Sequence, residues 1–149
     1  MARLRYSLNT TAEVALTTSL KTVLHLLAPS DHRVAVRGWS LSFDGISSTA
    51  GGAEVQIVLQ SSSGTFTGAT LQKDVPGTTE AIQSSGSHTA TVEPTISAYL
   101  RSYNINAMTG YERAFAIDEE IEIAGGSRIG LMVRASSGVN CHAFLNAEE

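Results

Sequence analysis

Four histidines, one cysteine and a run of carboxylates are the residues of this chain best suited to chemistry. His25, His32, His88 and His142 lack the close spacing of a zinc motif, and a lone Cys141 excludes both an intrachain disulfide and a multi-cysteine site. Cys141-His142 has the composition of a ligand pair. Neighbours in a strand point to opposite faces, however, so Cys141 reads as a small core residue beside an outward His142. His25, between Leu24 and Leu26, reads as a core or interface histidine. Asp31-His32 could be a base with its orienting carboxylate, but no activated nucleophile stands beside it, and the serine-elbow pattern G-x-S-x-G is absent.

Asp118, Glu119, Glu120 and Glu122 could attract calcium, a hard cation that takes carboxylates, yet the repeated Asp/Asn-Gly spacing of a calcium loop is missing. A solvated face, or protection of a strand edge, suits Glu120 and Glu122 better. Gly51-Gly52 and Gly125-Gly126 match no phosphate cradle; the second pair reads as a tight hairpin. Tyr99, Tyr103 and Tyr111 could form an aromatic platform for sugars or line the core edge with wet hydroxyls, whereas Trp39 shares its parity with Leu41 and Phe43 and reads as core. The expectation is a chain with no catalytic, cofactor or metal residues.

Composition narrows the partners. Charged residues make up 16% and the net charge is −4, with only Lys21 and Lys73 as lysines and the arginines scattered, so phosphate neutralisation along a nucleic acid is not expected. The longest apolar stretch, 23–28, is far too short to span a bilayer, and no apolar run follows Arg3 and Arg5 to make a signal peptide. The Asn9-Thr10-Thr11 sequon, without such a signal, reads as chance.

The elements that would position these residues are strands. Ser, Thr and Gly take the place of charge, and period-two alternation recurs along the chain. It marks 12–16, 33–44, 54–60, 88–92, 99–106, 111–117, 120–124, 129–135 and 139–145, while 21–27 is apolar on both parities and reads as a buried strand, with 70–75 as a short edge strand, 61–68 as polar loop and 76–87 as turns. Ser47 to Gly52 reads as a small-residue loop and Ser136-Ser137-Gly138 as a turn. Within 33–44 the inward parity switches from Val34 and Val36 to Trp39, Leu41 and Phe43; keeping both sets inward needs one extra residue, which predicts a β-bulge at Gly38. Turns every 8–12 residues between about nine strands predict an all-β, single-domain antiparallel β-sandwich of jelly-roll type over residues 1–149, preceded by a short N-terminal arm of about residues 1–9.

Val58, Met132 and Phe144 fall on the parity opposite the inward sets. They are either a second packed face or a subunit interface. Arg3, Arg5 and Tyr6 in the arm could clip onto a partner.

Three stretches carry a resemblance. They are Thr17-Thr18-Ser19-Leu20-Lys21-Thr22-Val23-Leu24 with Ala28-Pro29-Ser30-Asp31-His32-Arg33-Val34 and Trp39-Ser40-Leu41-Ser42-Phe43-Asp44-Gly45; then His88-Thr89-Ala90-Thr91-Val92-Glu93-Pro94-Thr95; then Gly110-Tyr111-Glu112 with Gly125-Gly126-Ser127-Arg128-Ile129-Gly130-Leu131 and the 139–145 strand. Together they resemble the small β-sandwich capsid decoration, or cement, proteins of tailed bacteriophages. The resemblance implies a non-enzymatic virion protein on the capsid exterior, assembled in the bacterial host cytoplasm. It also implies the major capsid protein as partner, a homotrimer as the working form, and neither nucleic acid nor membrane as a ligand. The alternative is a carbohydrate-binding β-sandwich used in adsorption.

Overall fold

The computed structural model describes residues 3–45, 51–68, 70–136 and 138–149. The expected small-residue loop lies outside them from 46 to 50, as do Ser137 of the last expected turn and residues 1 and 2 of the expected arm. The described residues are all-β, with no helix among them. In chain order the strands are β1 (Arg5–Asn9), β2 (Val14–Ala15), β3 (Lys21–Leu27), β4 (Val34–Asp44), β5 (Ala53–Gln60), β6 (Thr65–Gly68) and β7 (Gln72–Lys73). There follow β8 (Ser85–Val92), β9 (Ile96–Ile105), β10 (Tyr111–Ala114), β11 (Ile121–Ile123), β12 (Arg128–Arg134) and β13 (Asn140–Glu148). Two antiparallel sheets pack face to face. The first runs β10-β4-β13-β1-β7, with β11 also on β4 and β2 also on β13; the second runs β6-β8-β3-β12-β5-β9.

Inside these sheets lie the sets β1-β13-β4-β10 and β3-β12-β5-β9, whose connections alternate between layers as in a jelly roll. The sandwich expectation holds. Its core is the alternating inward set of both layers: Leu8, Val36, Trp39, Leu41 and Leu145 from one, Leu24, Val55, Ile57, Leu131 and Val133 from the other. Removing this apolar area from water is the main force holding the layers together.

Residues 61–95 are an excursion from the β5–β9 hairpin. Its neck is closed by the Ser61 N–H donating to the Thr95 carbonyl at 2.9 Å and the Thr95 N–H to Ser62 Oγ at 2.8 Å. The excursion adds β7 to the edge of β1 and β8 to the edge of β3, pairing backbone groups that the jelly roll alone would leave open. The stretch read as polar loop at 61–68 contains β6, which pairs with β8 through two register shifts. Its Thr-Phe-Thr core is too short to show a period.

The expected arm is a strand. Arg5–Asn9 pairs with β13 on one side and β7 on the other, and Tyr6 and Leu8 are fully buried. Gly125-Gly126 is not a hairpin either: it turns the chain from β11 in one sheet to β12 in the other. A Cβ on Gly125 would meet the Ser30 carbonyl oxygen at 2.7 Å. The predicted bulge is present. β13 pairs Asn146 with Gly38 and Ala147 with Val36, so Arg37 is the extra residue, and its carbonyl accepts from Phe115 N–H at 2.8 Å. A Cβ on Gly38 would sit 2.8 Å from the Arg113 carbonyl oxygen, which explains glycine at the switch.

Candidate docking groove

The outward faces of the two sheets differ. On the first sheet, outward residues of β1, β13 and β4 form the floor of a groove of about 740 Å³. At its centre is Glu148, whose side chain is 3% exposed and is held by Arg3, by Arg37 at 2.9 Å and by Arg5 at 3.7 Å. Burial alone would raise the Glu148 carboxyl. The hydrogen bonds and charges of Arg3 and Arg37 outweigh it and keep the group below the usual carboxylate range. Arg37 follows the inward Val36 and so faces outward into the floor, where it also pairs with Glu120 at 3.1 Å.

One wall is residues 74–80, contributing Val75, Thr78 and Glu80. It is tied down by the Asp74 N–H to the Arg5 carbonyl at 3.0 Å, by Asn146 Nδ2 to Asp74 Oδ2 at 2.9 Å, and by Lys73 Nζ to the Thr78 carbonyl at 2.8 Å. Further along the same segment, the Glu149 carboxylate accepts from Gln83 N–H at 2.7 Å and Ser84 N–H at 3.0 Å, while the buried Tyr6 hydroxyl donates to Ser84 Oγ at 2.7 Å. Burial pushes the Tyr6 phenol above its usual range, so it stays a neutral donor.

The opposite wall is the turn between β10 and β11, contributing Ile117, Asp118 and Glu120. Phe115, 8% exposed, anchors it in the core beneath the Arg113 guanidinium, and the Glu119 N–H closes the turn on the Ala116 carbonyl at 3.0 Å. Asp118 has φ +72°, an uncommon conformation for a residue with a side chain. Beside it Ile117 is 79% exposed, and across the groove Val75 is 62% exposed. Apolar surface gathered in one groove and rimmed by polar residues is the arrangement that marks contact sites.

The groove shares Arg37 with a notch of about 280 Å³ further along the same face, which Gly38, Glu112, Asn146 and the half-buried Phe144 line. Of the candidate interface residues, then, Arg3 and Arg5 stand in the groove and Phe144 in its extension. Tyr6 is core.

Val58 and Met132 lie on the outward face of the second sheet, yet are 0% and 3% exposed, so they offer no surface in this chain. They form the second packed face. In the β3–β8 register Thr22 would come opposite Ala90, but β8 leaves β3 after His88, at Thr89 with φ +55°. Thr22 instead donates its N–H to the Glu93 carboxylate at 3.0 Å and its hydroxyl at 2.6 Å. Gln60 Nε2 lies across Gly130 and donates to Thr22 Oγ1 at 3.0 Å, and Phe66 stacks on His25 at 4.6 Å. From β8 to β9 is four strand spacings across the sheet, about 19 Å at the usual separation. The four Cα steps from Val92 to Ile96 reach about 14 Å at most. The chain therefore crosses above the sheet, and the β6–β8 end of the excursion roofs it.

The remaining candidates do not come together. Cys141 points into the core, where burial pushes its thiol up to about 12, and His142 points outward. His32 Nδ1 meets Asp31 Oδ1 at 2.9 Å on the surface, with no hydroxyl or thiol bonded to it among the described residues. The acidic run disperses into separate ion pairs: Glu119 with Arg113 at 3.6 Å, Glu120 with Arg37, and Glu122 with Arg33 at 3.5 Å. Tyr103 and Tyr111 pack against Trp39 with centroids 5.1 and 5.2 Å away, whereas Tyr99 is exposed on the outward face of the second sheet, so the three tyrosines share no platform. The sequence pattern does not reveal the groove walls. It places Val75 in an edge strand and Ile117 in the 111–117 strand, and only the flanking Pro76-Gly77 and Asp118 hint at turns. Compared with known proteins, the chain matches no family model, no curated protein and no solved structure.

Proposed function

We propose that this is a non-enzymatic structural protein of a virion, which docks on the outer capsid surface between capsomers through the groove of its first sheet and stabilises the shell. The observation that supports the reading is the pair of exposed apolar side chains, Val75 and Ile117, which line one groove from its two anchored walls. A jelly roll is a common scaffold for capsid and lectin domains alike, so the fold supplies rigidity and the groove must supply the partner. The resemblance to phage cement proteins points to the major capsid protein as that partner and to a homotrimer as the bound form. Copies that each bridge neighbouring capsomers add strength by avidity, without any single tight contact.

The test is co-sedimentation of the purified protein with shells assembled from the major capsid protein expressed with it, together with its copy number in purified particles. Binding in a fixed ratio to capsomers is expected. A protein that stays monomeric and in the supernatant, and is absent from particles, contradicts the reading. The notch gives a specific reason to keep the carbohydrate alternative: Phe144 sits there beside Glu112 and Asn146, an aromatic face next to hydrogen-bonding groups. On that reading Phe144→Ala abolishes binding on a glycan array, while a cement protein gives no glycan signal.

A further inference from the structure

We infer that the groove takes a segment of a partner protein carrying a Lys or Arg beside an apolar side chain; the inference rests on the docking reading and names the chemistry of what docks. The charges decide it. Arg3, Arg5 and Arg37 are ion-paired to Glu148, and Arg37 also to Glu120, so the floor keeps one positive charge in excess. On the walls, Glu80 and Asp118 make no ion pair among the described residues. With Glu122 answered by Arg33, these two carboxylates outweigh the floor's surplus and leave the groove net negative, one on each wall that also carries an exposed apolar side chain: Glu80 with Val75, Asp118 with Ile117.

A segment with a cation and an apolar side chain would meet both features at once. An acidic segment would meet repulsion, and like charges set face to face are an effective way to refuse a wrong partner. A nucleic acid backbone is refused on the same ground. A second copy of this chain is the nearest competitor. Arg101 is exposed, makes no ion pair among the described residues and stands two residues from the exposed Tyr99 on β9. But β9 is interrupted by two register shifts against β5, and bulged edges are poor docking strands.

The experiment has two arms. In the first, the isotope-labelled full chain is titrated, by nuclear magnetic resonance, with two capped hexapeptides of Gly and Leu, one containing Lys and the other Glu. The Lys peptide is expected to shift the amides of Val75, Thr78, Glu80, Ile117 and Asp118 and to bind about tenfold more tightly at low salt, a preference that shrinks as salt rises. The double variant Glu80→Gln, Asp118→Asn keeps the side-chain volumes and is expected to lose the preference. Equal binding of both peptides, no binding of either, or shifts confined to the second sheet's face overturns the inference. So does a protein that self-associates and becomes monomeric on Arg101→Glu, since the groove would then be filled by a copy.

In the second arm, wild type and the double variant are sedimented with the shells. Loss of wild-type binding there, with the peptide preference intact, removes the capsid reading and leaves the groove's chemistry standing. Wild-type binding with an unaffected variant removes the inference and leaves the capsid reading.

Discussion

The two outward faces of this sandwich begin from the same kind of sequence and end in opposite states. On each, an apolar side chain breaks the outward parity: Val58 and Met132 on the second sheet, Phe144 on the first. The second face is roofed by the β6–β8 end of the excursion, so its polar side chains turn inward to one another, and Thr22, His25 and Gln60 are 0%, 6% and 4% exposed. The first face is only fenced, by two turns that leave Arg3 and Arg5 exposed on its floor over the buried Glu148. The difference shows that a period-two pattern reports which side a residue faces, not whether water reaches it. A single long excursion decided that, by crossing one face and bordering the other.

An identical insult to both faces should separate them most sharply. Val58→Asp puts a charge under the roof and is expected to cost about 3–5 kcal/mol or prevent folding. Ile117→Asp should stay within about 0.5 kcal/mol of wild type, because the site is already wet. Urea melts of the two variants measure this.

Acid should act next most strongly, and on the roofed face. Burial, with the nearby Arg128 charge, lowers His25 to about 4, against about 6.5 in an unfolded chain. The native state holds the neutral ring, so this contribution is fully present above pH ~6.5 and is lost as the pH falls toward 4. Stability in urea should decline across that window, by up to about 3 kcal/mol, and His25→Asn should flatten the decline.

A smaller effect is expected at the clasp. Glu93→Gln keeps one hydrogen bond to Thr22 but loses the charge-assisted pair, a cost of about 1–2 kcal/mol. Its signature is faster hydrogen exchange at residues 89–95 with residues 74–80 unchanged, which would show that roof and fence are independent.

Much of the fold was legible because its signals are local. The alternation of Val55, Ile57 and Leu59, and the parity switch across Gly38, each depend on a few adjacent residues; the bulge at Arg37-Gly38 follows from them directly. What escaped depends on distant contacts. Arg5–Asn9 offers only Tyr6 and Leu8 as a pattern, and it is β13 and β7 on either side that make it a strand. The roofing of the second sheet is held by Glu93 reaching Thr22, 71 residues away. The site was the least legible part. Arg3 and Arg5 could be suspected as exposed charges, but the apolar side chains of the two walls come from the 74–80 and 115–120 turns, placed on one groove only by the first sheet.

The central claim is that the fenced face docks and the roofed face does not. Hydrogen exchange of the protein, free and bound to shells, tests it most directly. The account predicts protection on binding at residues 74–80 and 115–120, with residues 89–95 unchanged. Protection confined to 89–95 and β9, with the groove walls exchanging as in the free protein, would contradict it.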